Sequence, residues 1–297
     1  MSKILTDTIG NTELICLQKI GNGRIYVKLE KSNPAGSIKD RPAYHMLKTA
    51  IEQGQLRPGM KIVEATSGNM GIALAMLGPS LGYKVVIVMP ENMSLERRKL
   101  MLSYGADLLL TKAADGMQGA NQKAEKLAEK AGYYMPRQFD NPANPACHER
   151  TTGPEIIKDL PDLSGFVAGV GTGGTVTGVG RALKKYNKEI AVWAMEPAES
   201  PLISQGRFGP HKIQGIGANF IPKNLDLAVV DACITVESAE AIQCAQLLAK
   251  EEGLSVGISS GANVAAALTM AEQVSGKIVT ILPDSAERYM STSLFEE

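Results

Sequence analysis

From about residue 40 onward the chain alternates short aliphatic runs with stretches of helical period. The aliphatic runs predict strands at Lys61–Ala65, Lys84–Met89, Asp107–Thr111, Gly165–Val170, Ile190–Met195, Ala232–Val236 and Lys277–Leu282. Most are unbroken rather than alternating, as parallel strands covered on both faces require. Between them Ala43, Met46, Leu47, Ala50 and Ile51 repeat at helical spacing, as do Met117, Ala120, Ala124, Leu127, Ala128 and Ala131. Ser94 and Ser238 stand where N-caps belong, ahead of helices predicted over Leu95–Ser103 and Ala239–Glu252. A further Ala-rich helix is predicted over Val264–Ala271. This alternation predicts an α/β fold with parallel sheets and right-handed crossovers. No repeat, low-complexity tract or linker composition marks a domain boundary.

Composition narrows the function classes. The 297 residues hold 31 Lys+Arg against 31 Asp+Glu, a formal charge of zero. A nucleic-acid binder needs surplus cations to displace phosphate counterions, so that class is disfavoured. The length suits two domains or one large α/β domain. Cys16, Cys147, Cys233 and Cys244 include no Cys-x-x-Cys pair, and the three histidines are scattered, so no metal site is expected. The cysteines read as small buried hydrophobes in a reducing compartment. Residues 1–15 lack a signal peptide's basic start and apolar core, and no apolar run approaches the ~20 residues of a membrane span. The expectation is a cytoplasmic protein without membrane association.

Four stretches could carry chemistry. Ala168-Gly-Val-Gly-Thr-Gly-Gly-Thr-Val-Thr-Gly178 lies between a strand and a helix, where glycines and successive N–H groups make an anion cradle. Gly169-x-Gly171-x-x-Gly174 also fits the dinucleotide fingerprint, with Glu196 near the ribose-binding position, which keeps an NAD-dependent oxidoreductase in play. In Asn33-Pro-Ala-Gly-Ser-Ile-Lys-Asp-Arg41, a turn delivers Lys39 to the start of a helix. There the helix dipole disfavours its charge and lowers the amine's pKa, and a neutral amine is what imine formation requires. The plain alternative is a solvated lysine beside Asp40. Glu64-Ala-Thr-Ser-Gly-Asn-Met-Gly71 crowds three hydrogen-bonding side chains into a strand-end turn, enough to clamp a small carboxylate where a cap needs only one. In Gly257-Ile-Ser-Ser-Gly-Ala-Asn263 one serine suffices as a cap, leaving the other for a ligand.

Taken in chain order, the four stretches resemble the cysteine synthase (O-acetylserine sulfhydrylase) family, related to cystathionine β-synthase. Further matches are Gln138-Phe-Asp-Asn-Pro-Ala-Asn-Pro145, Thr152-Gly-Pro-Glu155 and Pro210-His-Lys-Ile-Gln-Gly-Ile-Gly217, so the likeness spans essentially the whole chain. The resemblance implies pyridoxal-phosphate fold type II, similar to the tryptophan synthase β chain. That means two three-layer α/β domains with mostly parallel sheets. Residues 35–144 would form a smaller, mobile domain; residues 1–34 with 145–297 would form a larger one carrying the phosphate loop. It implies pyridoxal 5'-phosphate as cofactor and conversion of O-acetyl-L-serine and sulfide to L-cysteine and acetate through an aminoacrylate intermediate. Lys39 would hold the cofactor and then remove the substrate's α-proton. Asn69 would meet the cofactor's 3'-oxygen, and Gly171, Thr172, Gly173, Gly174 and Thr175 would cradle its phosphate. Ser259, ahead of Ser260, would face the pyridine nitrogen. Thr66, Ser67 and Gln138 would grip the substrate carboxylate, with Gly68, Met70 and Gly215 completing the substrate contacts. A homodimer is implied, and a serine acetyltransferase C-terminal peptide is a further partner known in the family.

The chain departs from the family pattern at several positions. Met70 and Ala286 replace Thr and Gly, Asn219 replaces Gly, Glu13 replaces Pro, and Pro79-Ser80 is expected to interrupt a helix. Either Met70 leaves the carboxylate site one hydroxyl short, a gap that Asn219 could fill, or it merely packs. Other readings are elimination or replacement on serine or cysteine, an oxidoreductase, or a non-catalytic protein retaining the fold. The purified protein is expected to absorb near ~410 nm and Lys39→Ala to abolish the band, as follows from imine chemistry. A colourless protein that binds NAD would refute this reading.

Overall fold

The computed structural model describes residues 3–295. In chain order the strands are β1 (Leu14–Cys16), β2 (Ile25–Leu29), β3 (Lys61–Ala65), β4 (Lys84–Pro90), β5 (Asp107–Thr111), β6 (Tyr133–Tyr134), β7 (Leu163–Gly169), β8 (Ala191–Pro197), β9 (Ala232–Val236) and β10 (Lys277–Leu282). The helices are α1 (Asp40–Glu52), α2 (Asn69–Leu81), α3 (Leu95–Ser103), α4 (Gly116–Ala128), α5 (Ala143–Arg150), α6 (Thr152–Asp159), α7 (Gly174–Tyr186), α8 (Leu202–Gln205), α9 (Ser238–Glu252) and α10 (Ile258–Gln273). The seven strands expected from aliphatic runs are all present. Strands β1, β2 and β6 escaped notice because they are short or lie in mixed-polarity sequence.

The chain forms two compact units. One joins the stretch ending at Ile9 to Lys39–Ala143; the other joins Gly10–Ile38 to the chain from Asn144 onward. The opening residues therefore group with the smaller unit rather than the larger, because the turn Leu5–Thr8 packs against α2. Residues 35–38 likewise belong to the larger unit: Ile38 N–H donates to the Pro283 carbonyl at 2.9 Å, and Ser37 bridges to Asp284.

The smaller unit holds a parallel sheet in the order β5-β4-β3-β6. Val63, Ala65, Val86 and Val88 bury against Ala120 and Ala124 of α4. The larger unit holds the order β1-β2-β10-β7-β8-β9, parallel except for β1. Successive side chains of a strand serve opposite faces. Val167, Trp193, Met195 and Ile278 pack with Leu248, Val264 and Met270, whereas Phe166, Val192, Ala194 and Val279 pack with Ile156, Val176, Val179 and Leu183. This covering of both faces is why the central strands read as unbroken apolar runs. Each large aliphatic side chain so buried contributes roughly 1.5–3 kcal/mol relative to exposure.

Local expectations fare unevenly. Ser94 caps α3, its hydroxyl accepting from Arg97 N–H at 3.4 Å. Ser238 does not cap α9. It is the helix's first residue, its N–H donates to Glu199 at 2.8 Å, and its hydroxyl accepts from Lys212 N–H at 2.9 Å. Pro79 does not interrupt α2, which continues to Leu81 and ends at left-handed Gly82. The ring costs the helix one internal hydrogen bond without breaking it. Helix α10 starts at Ile258, so Ser259 and Ser260 lie inside its first turn and Gly257 occupies the cap position.

The last glycine of that serine-containing stretch has a packing role. A Cβ on Gly261 would strike the Ala241 carbonyl oxygen and come within 2.6 Å of Ala245 N, both on α9. Gly261→Ala is therefore expected to destabilise the protein by roughly 1–3 kcal/mol, the cost of forcing an extra group into a packed core. Thermal or denaturant unfolding measures it, and an unchanged midpoint would contradict the close helix approach.

Candidate active site

In the larger unit, β7 ends at Gly169 and α7 begins at Gly174, leaving residues 170–173 as a tight turn. Val170 N–H is fixed to the Met195 carbonyl at 2.9 Å, and Gly217 N–H donates to the Val170 carbonyl at 3.0 Å. Beyond that anchor, the N–H groups of Gly171, Thr172, Gly173 and Thr175 find no protein acceptor among the described residues. They converge at the start of a 13-residue helix, whose dipole adds partial positive charge. The glycines are required by what surrounds the turn. A Cβ on Gly171 would strike the Gly215 carbonyl oxygen, and one on Gly174 would strike Asn144. Gly173 has φ +79° and would meet the Leu225 backbone at 2.9 Å.

Side chains that sequence reasoning gave no role brace this turn. Asn144 Nδ2 donates to Thr172 Oγ1 at 3.0 Å. Buried His148 touches Thr152 Oγ1 at 2.9 Å through Nδ1 and Thr175 Oγ1 at 3.4 Å through Nε2. Asn263 Oδ1 accepts from Gly169 N–H while its Nδ2 donates to the Ile281 carbonyl, both at 2.8 Å. One buried amide thus ties the entry of the turn to α10, the helix that carries Ser259. A lone buried histidine or asparagine leaves no periodic or spacing signal, so these braces were not legible.

Glu196 spends most of its accepting capacity inside the protein. Its carboxylate accepts Ile203 N–H at 2.7 Å, Ser204 N–H at 2.8 Å and the Ser204 hydroxyl at 2.6 Å, capping α8. The dinucleotide fingerprint is therefore a coincidence of glycine spacing. Asn219 Oδ1 accepts from Ser200 Oγ at 3.2 Å. Its φ of +60° is a left-handed conformation that glycine suits best and asparagine tolerates.

In the smaller unit, β3 delivers Thr66 to the strand's carboxyl end. Gly68 N–H donates to Thr66 Oγ1 at 3.2 Å, and α2 starts immediately at Asn69. Ser67, Gly68, Asn69 and Met70 thus cluster where a helix leaves its first N–H groups without internal partners. The Met70 side chain is 1% exposed and packs in the core. Gln138 is buried on the segment between β6 and α5. Lys39 is half-buried, caps α1 through its backbone, and is where the chain passes from the larger unit into the smaller. Burial and the nearby Glu196 push the Cys233 thiol up to about 12, so it is no nucleophile at neutral pH.

Residues 5–284 match the family model described as pyridoxal-phosphate dependent enzyme. The chain belongs to that family. Cysteine synthase A of Escherichia coli strain K12 is 51% identical over 314 residues, covering 100% of this chain and 97% of its own. Cysteine synthase of Staphylococcus aureus strain Mu50 is 48% identical over 298 residues, covering 98% and 96%. Among solved structures, O-ureido-L-serine synthase superposes with a TM-score of 0.96 at 45% identity, covering 100% of this chain and 96% of that one. Cysteine synthase from Entamoeba histolytica does so at 0.96 and 40%, covering 100% and 91%.

The family's cofactor is pyridoxal 5'-phosphate, and the residue 170–175 turn fits its phosphate group. N–H donors without a protein acceptor and two threonine hydroxyls at a helix N-terminus suit a dianion's acceptor oxygens, and a side chain at Gly171, Gly173 or Gly174 would collide with its surroundings. Gly173→Ala is expected to lower cofactor retention through dialysis by at least about tenfold. A side chain would need a left-handed backbone that costs roughly 1–3 kcal/mol, besides displacing Leu225. Full retention in the variant would show that this turn does not hold the phosphate.

Proposed function

We propose that this enzyme is a cysteine synthase, converting O-acetyl-L-serine and sulfide to L-cysteine and acetate. The observation that supports this most is half-identity to cysteine synthases along the whole chain, joined to an anion cradle in the expected turn. When bound, the cofactor supplies an electron sink for the pair released from the substrate's Cα–H bond. Lys39 Nζ anchors the cofactor and, once released, takes the α-proton. Acetate departs from Cβ with its bonding pair, hydrosulfide adds at Cβ, and Lys39 returns a proton to Cα. Asn69 meets the cofactor's 3'-oxygen, and Gly171, Thr172, Gly173, Gly174 and Thr175 hold its phosphate.

Ser259 faces the pyridine nitrogen. A hydroxyl there, unlike a carboxylate, does not enforce ring protonation, which suits direct loss of a good β-leaving group. Thr66, Ser67, Gly68 and Gln138 grip the substrate carboxylate. Met70 contributes its backbone N–H alone, its side chain being packed away. Gly215 flanks the substrate. The smaller unit is the mobile one, its Thr66–Gly71 loop closing over bound substrate.

We further read the enzyme as a cytoplasmic homodimer able to receive the C-terminal peptide of a serine acetyltransferase. The free cysteines suit a reducing compartment, and no helix among the described residues is long and apolar enough to cross a membrane.

The test is L-cysteine formation by the purified holoenzyme from O-acetyl-L-serine with and without sulfide, beside hydrogen sulfide release from L-cysteine. Faster release than synthesis would replace the proposal with an elimination activity. Residues 215–222 contain no basic side chain, and a phosphate dianion without a cationic partner is poorly desolvated. O-acetyl-L-serine should therefore exceed O-phospho-L-serine in kcat/KM by at least about tenfold, the equivalent of one lost charge-assisted hydrogen bond. A preference for the phosphorylated donor would refute the assignment.

A further inference from the structure

Glu64 is the penultimate residue of β3, two positions before Thr66, and its side chain is 3% exposed. A carboxyl group in a sheet interior is costly unless something nearby uses it. Its Oε2 accepts the backbone N–H of Arg137 at 2.9 Å. That donor lies on the segment between β6 and α5, far away in sequence and immediately before Gln138.

That segment is tightly built around one awkward residue. Arg137 has φ +55°, a left-handed conformation that a non-glycine residue holds only when its surroundings impose it. The Arg137 carbonyl accepts from Asp140 N–H at 2.9 Å and Asn141 N–H at 3.0 Å. Asn141 closes the turn from both sides, donating to the Pro136 carbonyl at 2.8 Å and accepting from Ala143 N–H at 3.0 Å. Glu64 thus supplies the acceptor that holds Arg137, the residue before Gln138, in register with the strand leading into Thr66 and Ser67.

We propose that Glu64 is a positioning residue for substrate binding: its carboxylate fixes the backbone at Arg137, setting the adjoining Gln138 beside the Thr66–Asn69 turn. The proposal rests on the reading that Gln138 grips the substrate carboxylate. The interaction is sensitive to pH. Burial pushes the Glu64 carboxyl up to about 8, against the pull of the donated N–H groups and of Arg137. The other charged or titratable groups facing this region are Tyr134 on β6, whose hydroxyl Glu64 helps push up, and Glu125 on α4, which pairs with Arg137 at 3.5 Å. Ionisation strengthens the bond from Arg137 N–H, since a charged acceptor binds an N–H group more tightly than a neutral acid. Substrate grip therefore tightens as pH rises through about 8.

Stability moves the other way. A carboxyl with a raised folded-state pKa binds more protons folded than unfolded, so its contribution is full below its unfolded pKa and is lost as pH rises through about 8. This opposition separates positioning from mere structural support. Wild-type holoenzyme, Glu64→Gln, Gln138→Ala and the double variant are titrated with O-acetyl-L-serine, following the cofactor's visible band between about pH 7 and about pH 9, with unfolding midpoints measured in parallel. Taking the Glu64→Gln to wild-type ratio of half-saturating concentrations cancels the titration of the substrate's own amine. That ratio should climb from near one to about tenfold across this range, the effect of one charge-assisted bond, and stay flat in the Gln138→Ala background. The Glu64→Gln midpoint should gain on wild type as pH rises. A flat ratio with a shifted midpoint would reduce Glu64 to a structural role, and persistence of the ratio in the Gln138→Ala background would also overturn the proposal. If Gln138→Ala alone leaves half-saturation unchanged, the assignment of Gln138 fails and positioning fails with it.

Discussion

Holding a phosphate dianion with backbone N–H groups and hydroxyls, without a cation, demands that those groups point one way and cannot relax. The turn at residues 170–175 contains no lysine or arginine, so its attraction depends on geometry rather than on a mobile cation. Much of the larger unit's detail serves that requirement. Gly171 and Gly174 lie flush against Gly215 and Asn144, which removes the space for movement. Thr172 and Thr175 are oriented by Asn144 and His148, and the start of the turn is fixed to α10 by Asn263. Preorganised donors are effective because no reorganisation is needed when the anion arrives.

On the proposed reading, the smaller unit applies the same logic to the substrate carboxylate. Thr66, Ser67 and the first turn of α2 bring hydroxyl and N–H donors together at the carboxyl end of β3, where parallel sheets bind ligands. Here the support is a buried acid. Glu64 holds an incoming loop by its backbone, leaving the Gln138 side chain free of that task. An acid in this position destabilises the unit as it ionises, a cost consistent with a functional rather than a packing role.

The positions that stand out from the resembled family pattern resolve differently once placed. Met70 lies wholly in the core, where an unbranched thioether fills space without demanding a partner. Asn219 occupies a left-handed position that glycine suits best and asparagine tolerates. Pro79 sits within α2, close enough to its end that losing one hydrogen bond leaves the helix intact.

Sequence alone determined the α/β alternation, the parallel strands and the four chemical stretches, because each is a local property. Two-sided burial writes unbroken aliphatic runs, and close backbone approach writes clustered glycines. Strands β1, β2 and β6 were illegible because their pairing, not their composition, makes them strands. Tertiary structure alone decided which polar residue serves which partner. Glu196 caps a helix instead of meeting a ribose, Ser238 binds the 212 backbone instead of capping its own helix, and Gly261 yields to a neighbouring helix rather than to a ligand. A hydrogen bond or a close approach between residues distant along the chain leaves no period or spacing in the sequence. Such choices exist only once folding has brought both partners together.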